Sequence, residues 1–432
     1  MWSAEFQGRV APRATLAPTL RTPHSTFRTL HRMNFPDRLP IPAEVLRIAK
    51  KLEDAGYETW CVGGAIRDAL LGLEDPSFDP LKSEFDLTTA APPDVVRQLF
   101  KRTVPVGIEH GTVGVLDKDN RLHEVTTFRK DIRTDGRHAV VEFGVSLMDD
   151  LARRDFTINA IAYHPVQPEW RDPFKGADDL EHKLIRSVGD PNWRFQEDYL
   201  RILRALRFSA RFGFKIHART LEAAQANVQG LAQLSAERVR DEWFKGIMTA
   251  ARVSKLLTLW VDVGAARIWL PELREQGAGS REQQALDRLP RDPVLITAFL
   301  ARDPASLLTR LKCSTKDIER GRAIGQWREQ YPDPKHVPAI RRWLAETGEY
   351  ADDLLTLLPT SPAPGSLLPK VVAAIRAAKD PLTLKDLAVT GADLLAAGVR
   401  PGPEVGETLE RLLGEVLEDP RRNTKQYLLS RV

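Results

Sequence analysis

The change of periodicity near residue 170 limits what this chain can fold into more than any other feature. Between residue 41 and about residue 166, apolar runs of strand length alternate with helical spacing; from 177 onward the helical period dominates. Pro42 to Ala55 and Ala65 to Leu71 read as helices, the second ended by Gly72. Pro92 to Lys101 reads as a third, with proline near its start. Glu58 to Val62, Phe85 to Thr89, Thr112 to Leu116, His123 to Phe128 and Val140 to Phe143 read as strands of one mixed sheet. The pattern predicts an α+β chain: a small N-terminal mixed-sheet unit, then an extended all-helical arm. Pro359 to Pro369 is the best linker candidate.

A length of 432 residues allows roughly three domain-sized units. With 42% hydrophobic and 28% charged residues, composition excludes a disordered or fibrous chain. The most apolar stretch, Leu256 to Leu270, is broken by Asp262 and Arg267, so no membrane span is expected. Two cysteines, Cys61 and Cys313, make no disulfide framework and point to a reducing, cytoplasmic compartment. The net charge of +4 lies entirely in the first 32 residues, where five arginines face one glutamate. A nucleic-acid surface, where one exists, must therefore come from patches rather than from overall charge. Residues 1–36 are rich in Arg, Thr, Pro and Ser and read as a disordered extension; a transit peptide is the alternative.

Four constellations carry chemistry. Gly63-Gly64 lies at a strand-to-helix turn, where open backbone N–H groups suit a phosphate, and Arg67 follows as a forked donor. A tight connection is the plainer reading. Glu84 and Asp86, two apart on a strand, project from one face. Paired carboxylates repel unless a cation neutralises them, so they suggest Mg2+ and phosphoryl transfer, with a solvated acidic face as the alternative. Glu124 could join them as a third carboxylate. Arg153, Arg154, Asp155 and Asn159 suit a triphosphate and its ribose, unless they form a solvated helix end. Glu197, Arg201 and Arg204 fall on one helical stripe with Asp198 at its edge, either an ion-pair ladder or a base-reading edge. An acceptor (Asp198) beside a donor (Arg201) matches the amine and ring nitrogen shared by cytosine and adenine, and opposes uracil and guanine.

In this order the motifs resemble those of the class II tRNA nucleotidyltransferases, the CCA-adding enzymes and bacterial poly(A) polymerases of the polymerase-β-like superfamily. The resemblance runs from about Pro42 to the C-terminus, strongest in GGAIRDALLG (63–72), EFDLTTAAPPD (84–94), HGTVGV (110–115), EVTTFRKD (124–131), RRDFTINAIAY (153–163) and RFQEDYLRILRALRFSARFGF (194–214). SAERVRDEW (235–243) and LAVTGADLLAAGVRPGPEVG (387–406) are also similar. It implies a phosphate turn at Gly63, Gly64 and Arg67, and a metal pair at Glu84 and Asp86. It also implies triphosphate and ribose contacts at Arg153, Arg154, Asp155 and Asn159, and base selection at Glu197, Asp198, Arg201 and Arg204.

The resemblance further implies a catalytic head (37–166), a base-selecting neck (167–252), a helical body (253–350) and a tRNA-gripping tail (351–432). In the tail, the helix start at Gly402-Pro403-Glu404-Val405-Gly406 would be a phosphate grip. The expected reaction is template-independent addition of C and C to tRNA 3′ ends from CTP, with A from ATP left open as a third step, using Mg2+. The rivals are poly(A) synthesis and a catalytically dead RNA-binding relative. Two departures stand out. Glu84 occupies a position usually held by Asp, and the segment between Arg129 and Phe143 is about two residues shorter than the family form. Shortening there marks CC-only members, so weak or absent terminal A addition is expected.

Overall fold

A computed structural model describes residues 35–72, 79, 85–134, 139–273, 285–358 and 367–432, excluding the side chains of residues 131–141. Its N-terminal half is built on a seven-stranded sheet of order β3-β4-β5-β2-β1-β8-β9. The strands are β1 (Thr59–Val62), β2 (Asp86–Thr89), β3 (Thr103–Gly107), β4 (Thr112–Leu116), β5 (Leu122–Thr127), β8 (Ala162–His164) and β9 (Glu169–Arg171). Within this sheet only β2 and β5 pair in parallel. The row Cys61–Leu87–Val125–Val113 is fully buried. Three helices cover the sheet: α1 (Ala43–Asp54), α2 (Gly64–Gly72) and α3 (Pro93–Leu99). Val45, Ile48 and Leu52 of α1 are among the buried contacts, each stabilising by roughly 1.5–3 kcal/mol relative to exposure. On the opposite face Trp60, Val62, Phe128, Leu147, Leu151, Ala160 and Ala162 form a second cluster.

Several of these strands depart from the expected set. β3, β8 and β9 are additions, and the residues around Val140 do not join the main sheet. Strand β7 (Ala139–Phe143) instead pairs with β6 (Arg129–Thr134) as a separate two-stranded ribbon. The ribbon leads to α4 (Leu147–Ala152), which opens on a capping box: Ser146 Oγ accepts from the Asp149 amide while the Asp149 carboxylate accepts from Ser146 N–H.

Beyond the sheet come α5 (Gly176–Glu181), β10 (Leu184–Ile185), α6 (Pro191–Glu197), α7 (Leu200–Phe212), β11 (Lys215–Ile216), α8 (Ala218–Ala226) and α9 (Ala236–Thr249). The stripe expected on one helix across 197–204 is split, because the chain is extended at Asp198 (φ −156°, ψ 103°) between α6 and α7. Asp190 caps α6 by accepting from the Asn192 and Trp193 amides. Gly213 ends α7 at φ +71°, where a side chain would be strained.

One apolar core runs through the helices from Phe195 to Leu357, with Trp243 against Trp260 at 5.0 Å between ring centroids. Smaller cores follow at Ile340 to Ile375 and Leu387 to Leu428. The linker expected at Pro359 to Pro369 falls largely on residues outside those described, while Leu368 and Pro369 open the helix Leu368–Ala377. The helix expected after Gly402 is present as Pro403–Glu418. Among the described residues no helix is long and apolar enough to cross a membrane.

Candidate active site

The site is built at the end of β1 and the start of β2. The register pairs Val62 with Asp86, and the β2–β5 ladder, continued one residue back from Leu87↔Val125, sets Asp86 beside Glu124. Residues in register share a sheet face, so the two exposed carboxylates stand side by side. Glu84 lies outside the described residues. Among those described, no group of three or more histidine, cysteine or carboxylate residues is placed to hold a metal ion. The chemistry of the donors that are present is all hard oxygen, which suits Mg2+ rather than a softer metal.

Gly63 follows β1 at φ +78°, a conformation that glycine adopts without strain. A Cβ there would lie 3.0 Å from Arg154 Nη1 and 3.7 Å from Asp86 Oδ2. The missing side chain therefore admits a guanidinium and a carboxylate to the same turn. Arg154 reaches it from α4's far end under the control of Asp150, a fully buried carboxylate. Asp150 Oδ1 accepts from Arg153 Nε and Nη2 at 3.0 and 2.8 Å, and Oδ2 accepts from Arg154 Nη2 at 3.1 Å. Burial pushes the Asp150 carboxyl up, but Arg154 and Arg153 outweigh it and hold it below the usual carboxylate range. The sequence reading missed Asp150, although an acid three and four residues before paired arginines is a visible helical signal.

Asp155 and Asn159 meet across a short 3-10 turn. Asp155 Oδ1 accepts from Phe156 N–H (2.8 Å) and Asn159 Nδ2 (2.9 Å), and Oδ2 accepts from Arg204 Nε (2.7 Å). Burial again works against the charged form, and Arg204 with these donors keeps Asp155 below its ordinary value. Asn159 Oδ1 accepts from Arg67 Nη1 at 2.5 Å.

Arg67, expected at a phosphate, points into the protein and is 3% exposed. Its guanidinium also donates to Asp68 (2.8 Å) and lies over the rings of Phe208 and Phe212, 5.0 and 4.8 Å from their centroids. Burial lowers its basicity, a shift that Asp68 opposes.

The expected base-reading residues sit at the α6–α7 break. Glu197 Oε2 accepts from Arg194 Nη1 (2.5 Å) and Arg201 Nη1 (2.6 Å). Arg201 Nη2 also donates to the Arg153 carbonyl at 3.1 Å, tying this break to the arginine pair. Asp198 Oδ2 accepts from Arg238 Nη2 of α9 at 2.8 Å, and its Oδ1 accepts from Leu200 N–H at 3.1 Å. Asp198 and Arg201 thus each have a partner other than one another. Arg194, Arg238, Phe208 and Phe212 all escaped the sequence reading, and for Arg238 only distant chain order supplies the contact.

Three family models match: "Poly A polymerase head domain" over residues 59–186, "Probable RNA and SrmB- binding site of polymerase A" over 213–276, and the tRNA nucleotidyltransferase domain 2 model over 373–432. A CCA-adding enzyme of Pediococcus pentosaceus is 35% identical over 410 residues, covering 89% of this chain and 96% of that protein. One from Levilactobacillus brevis is 35% identical over 409 residues, covering 92% and 99%. The crystal structure of the Bacillus stearothermophilus CCA-adding enzyme in complex with CTP superposes with a TM-score of 0.72 at 30% identity, covering 90% of this chain and 96% of that one.

Proposed function

The chain belongs to the CCA-adding enzyme family of tRNA nucleotidyltransferases, and on that premise we propose that it rebuilds tRNA 3′ ends from CTP and ATP without a template. The reaction is nucleotidyl transfer. The tRNA 3′-hydroxyl attacks the α-phosphorus of the bound nucleotide, the P–O bond to the β-phosphate breaks, and pyrophosphate leaves. The observation that carries the reading is the meeting of Arg154 and Asp86 over the bare Cα of Gly63. That turn brings a guanidinium to an exposed carboxylate, and β2, which carries that carboxylate, pairs in parallel with β5, which carries Glu124.

We assign Asp86 and Glu84 to Mg2+, with Glu124 as the neighbouring third carboxylate. When bound, the metal would supply charge neutralisation at the transferring phosphate and a more acidic attacking hydroxyl. The protein's own contribution is positioning. Gly63 and Gly64 leave backbone N–H groups open to the triphosphate, and Arg154, with Arg153 behind it, offsets its charge. We assign Asp155 and Asn159 to the ribose; both are buried, and their mutual hydrogen bond fixes their placement. Glu197, Asp198, Arg201 and Arg204 form the base-selecting group, in which an acceptor and a donor discriminate by leaving the wrong base's polar edge unsatisfied.

We divide the chain as expected from its sequence: head 37–166, neck 167–252, body 253–350 and tail 351–432, with tRNA held by body and tail. The full CCA product is preferred over CC alone, since the relatives that span this chain are CCA-adding enzymes. The short 130–142 segment, which motivates the CC-only outcome, includes residues 135–138 outside those described. The test is incorporation of labelled CTP into tRNA lacking CCA by wild type and Asp86→Ala. The variant is expected to lose at least ~10²–10³-fold in rate and to melt near wild type, because Asp86 is exposed. Activity within tenfold of wild type overturns the assignment.

A further inference from the structure

We propose that Arg67 is a positioning residue held in a clamp by Phe208 and Phe212, through which α7 fixes the phosphate turn relative to the base-selecting break. This rests on the nucleotidyltransferase reading of the site but concerns a contact that reading does not use.

The geometry points to a clamp rather than a phosphate contact. Arg67 is 3% exposed, and two edges and the plane of its guanidinium meet partners within the protein. One edge donates to Asn159 Oδ1 at 2.5 Å and another to Asp68 at 2.8 Å. Its plane lies against two rings that stack on each other, with centroids 6.0 Å apart and planes at 9°. A Cβ on Gly64 would stand 3.4 Å from Arg67 Nη2, so the side chain folds back beneath the glycine turn it follows. Asp68 in turn accepts from Arg211 Nη2 at 3.0 Å, which pins α2 to α7 a second time. Two aromatic rings, with donors on two edges reaching Asn159 and Asp68, suit the planar fork of arginine and not the point charge of lysine.

The helix that supplies the rings also carries the other half of the pocket. Arg201, Arg204, Phe208 and Phe212 recur at three- and four-residue steps and share one face of α7. Arg201 holds Glu197 and the Arg153 carbonyl, and Arg204 holds Asp155. A single rigid helix therefore spans from base selection, through the Asp155–Asn159 turn, to the underside of Gly64. Loosening Arg67 lets the phosphate turn shift against the base pocket, and small misplacements of reacting groups cost about 10²-fold in rate. A direct phosphate contact makes a different forecast: nucleotide binding weakens equally for every base, and the rings on α7 do not matter.

The experiment compares Arg67→Met, Arg67→Lys, Phe208→Leu and the Arg67→Met/Phe208→Leu double variant in the full chain. With CTP, UTP, ATP and GTP on tRNA lacking CCA, the clamp predicts a kcat loss of about 10²-fold for Arg67→Met, with KM moving less than about threefold. It predicts that CTP-over-UTP preference falls about tenfold, that Arg67→Lys behaves like the methionine variant, and that the double variant is no worse than Arg67→Met alone. Equal KM increases for all four nucleotides with preference intact, a near-normal Arg67→Lys, or additive losses would each overturn it. Hydrogen exchange provides a readout that needs no activity. Phe208→Leu is expected to speed exchange in α2 and the 157–159 turn; unchanged exchange there refutes the clamp, whereas wild-type protein that adds no CTP refutes the function reading instead.

Discussion

Replacing Asp150 with Asn should destabilise the head locally by about 2–4 kcal/mol. The two carboxylate oxygens serve different arginines, Oδ1 taking Arg153 and Oδ2 taking Arg154. In Asn one oxygen becomes an NH2 that faces a guanidinium donor, so one arginine loses its acceptor. Leaving a buried charged donor unmatched costs about 1–3 kcal/mol, and loss of the negative charge between two cations adds to it. The full penalty for breaking a buried pair, about 3–5 kcal/mol, is an upper bound. Arg153 and Arg154 are 16% and 19% exposed and can recruit some water. With several separate cores, the chain is unsuited to a single global unfolding energy. Native-state hydrogen exchange at α4 and β1 is the appropriate assay. The effect should also depend on pH. The folded Asp150 carboxyl lies below its ordinary value, with burial opposing and the arginines prevailing. Its stabilisation is therefore present above the unfolded-chain value of about 3.9 and lost as pH falls through the lower folded value. The gap between wild type and Asp150→Asn should close in acid. Opening energies within about 0.5 kcal/mol of wild type at neutral pH, or a gap independent of pH, would refute the argument.

Two further outcomes follow from the same geometry. Gly63→Ala places a Cβ 3.0 Å from Arg154 Nη1 at φ +78°, so steady-state kinetics should show a clear loss of CTP incorporation beside a stability cost of about 1–2 kcal/mol. Arg201→Ala removes the donors held by Glu197 and the Arg153 carbonyl. Competition among the four nucleotides should show UTP and GTP entering and KM for CTP rising, whereas a uniform loss of rate would indicate a merely structural ion pair.

The sheet's central strands were legible because their residues are apolar and buried on a fixed row: β1, β2, β4 and β5 lie within a residue or two of expectation. Strands β8 and β9, three residues each, are too short to show a period and exist through pairing with β1 and with each other. In β3 only Val104 and Val106 alternate, and Pro105 between them argues against a strand. The helix break at Asp198 was hidden for a different reason: the local sequence Glu-Asp-Tyr-Leu suits a helix, and the extended turn is held by Arg238, forty residues on. The site motifs were legible as residue types at spacings that phosphate and metal chemistry needs. What spacing could not convey is orientation. Arg67 looks like an anion donor beside a glycine turn, yet the aromatic partners that turn it inward lie about 140 residues away.

CCA synthesis is tested most directly by giving the purified protein a tRNA ending at the discriminator base, with CTP and ATP together, and sequencing the 3′ ends. C, C and A are expected to be added in that order, after which growth stops. Ends that halt at CC would confine the protein to the first two additions and contradict the full product. Long A tails on RNA that is not tRNA would contradict the tRNA-specific reading in favour of a poly(A) polymerase.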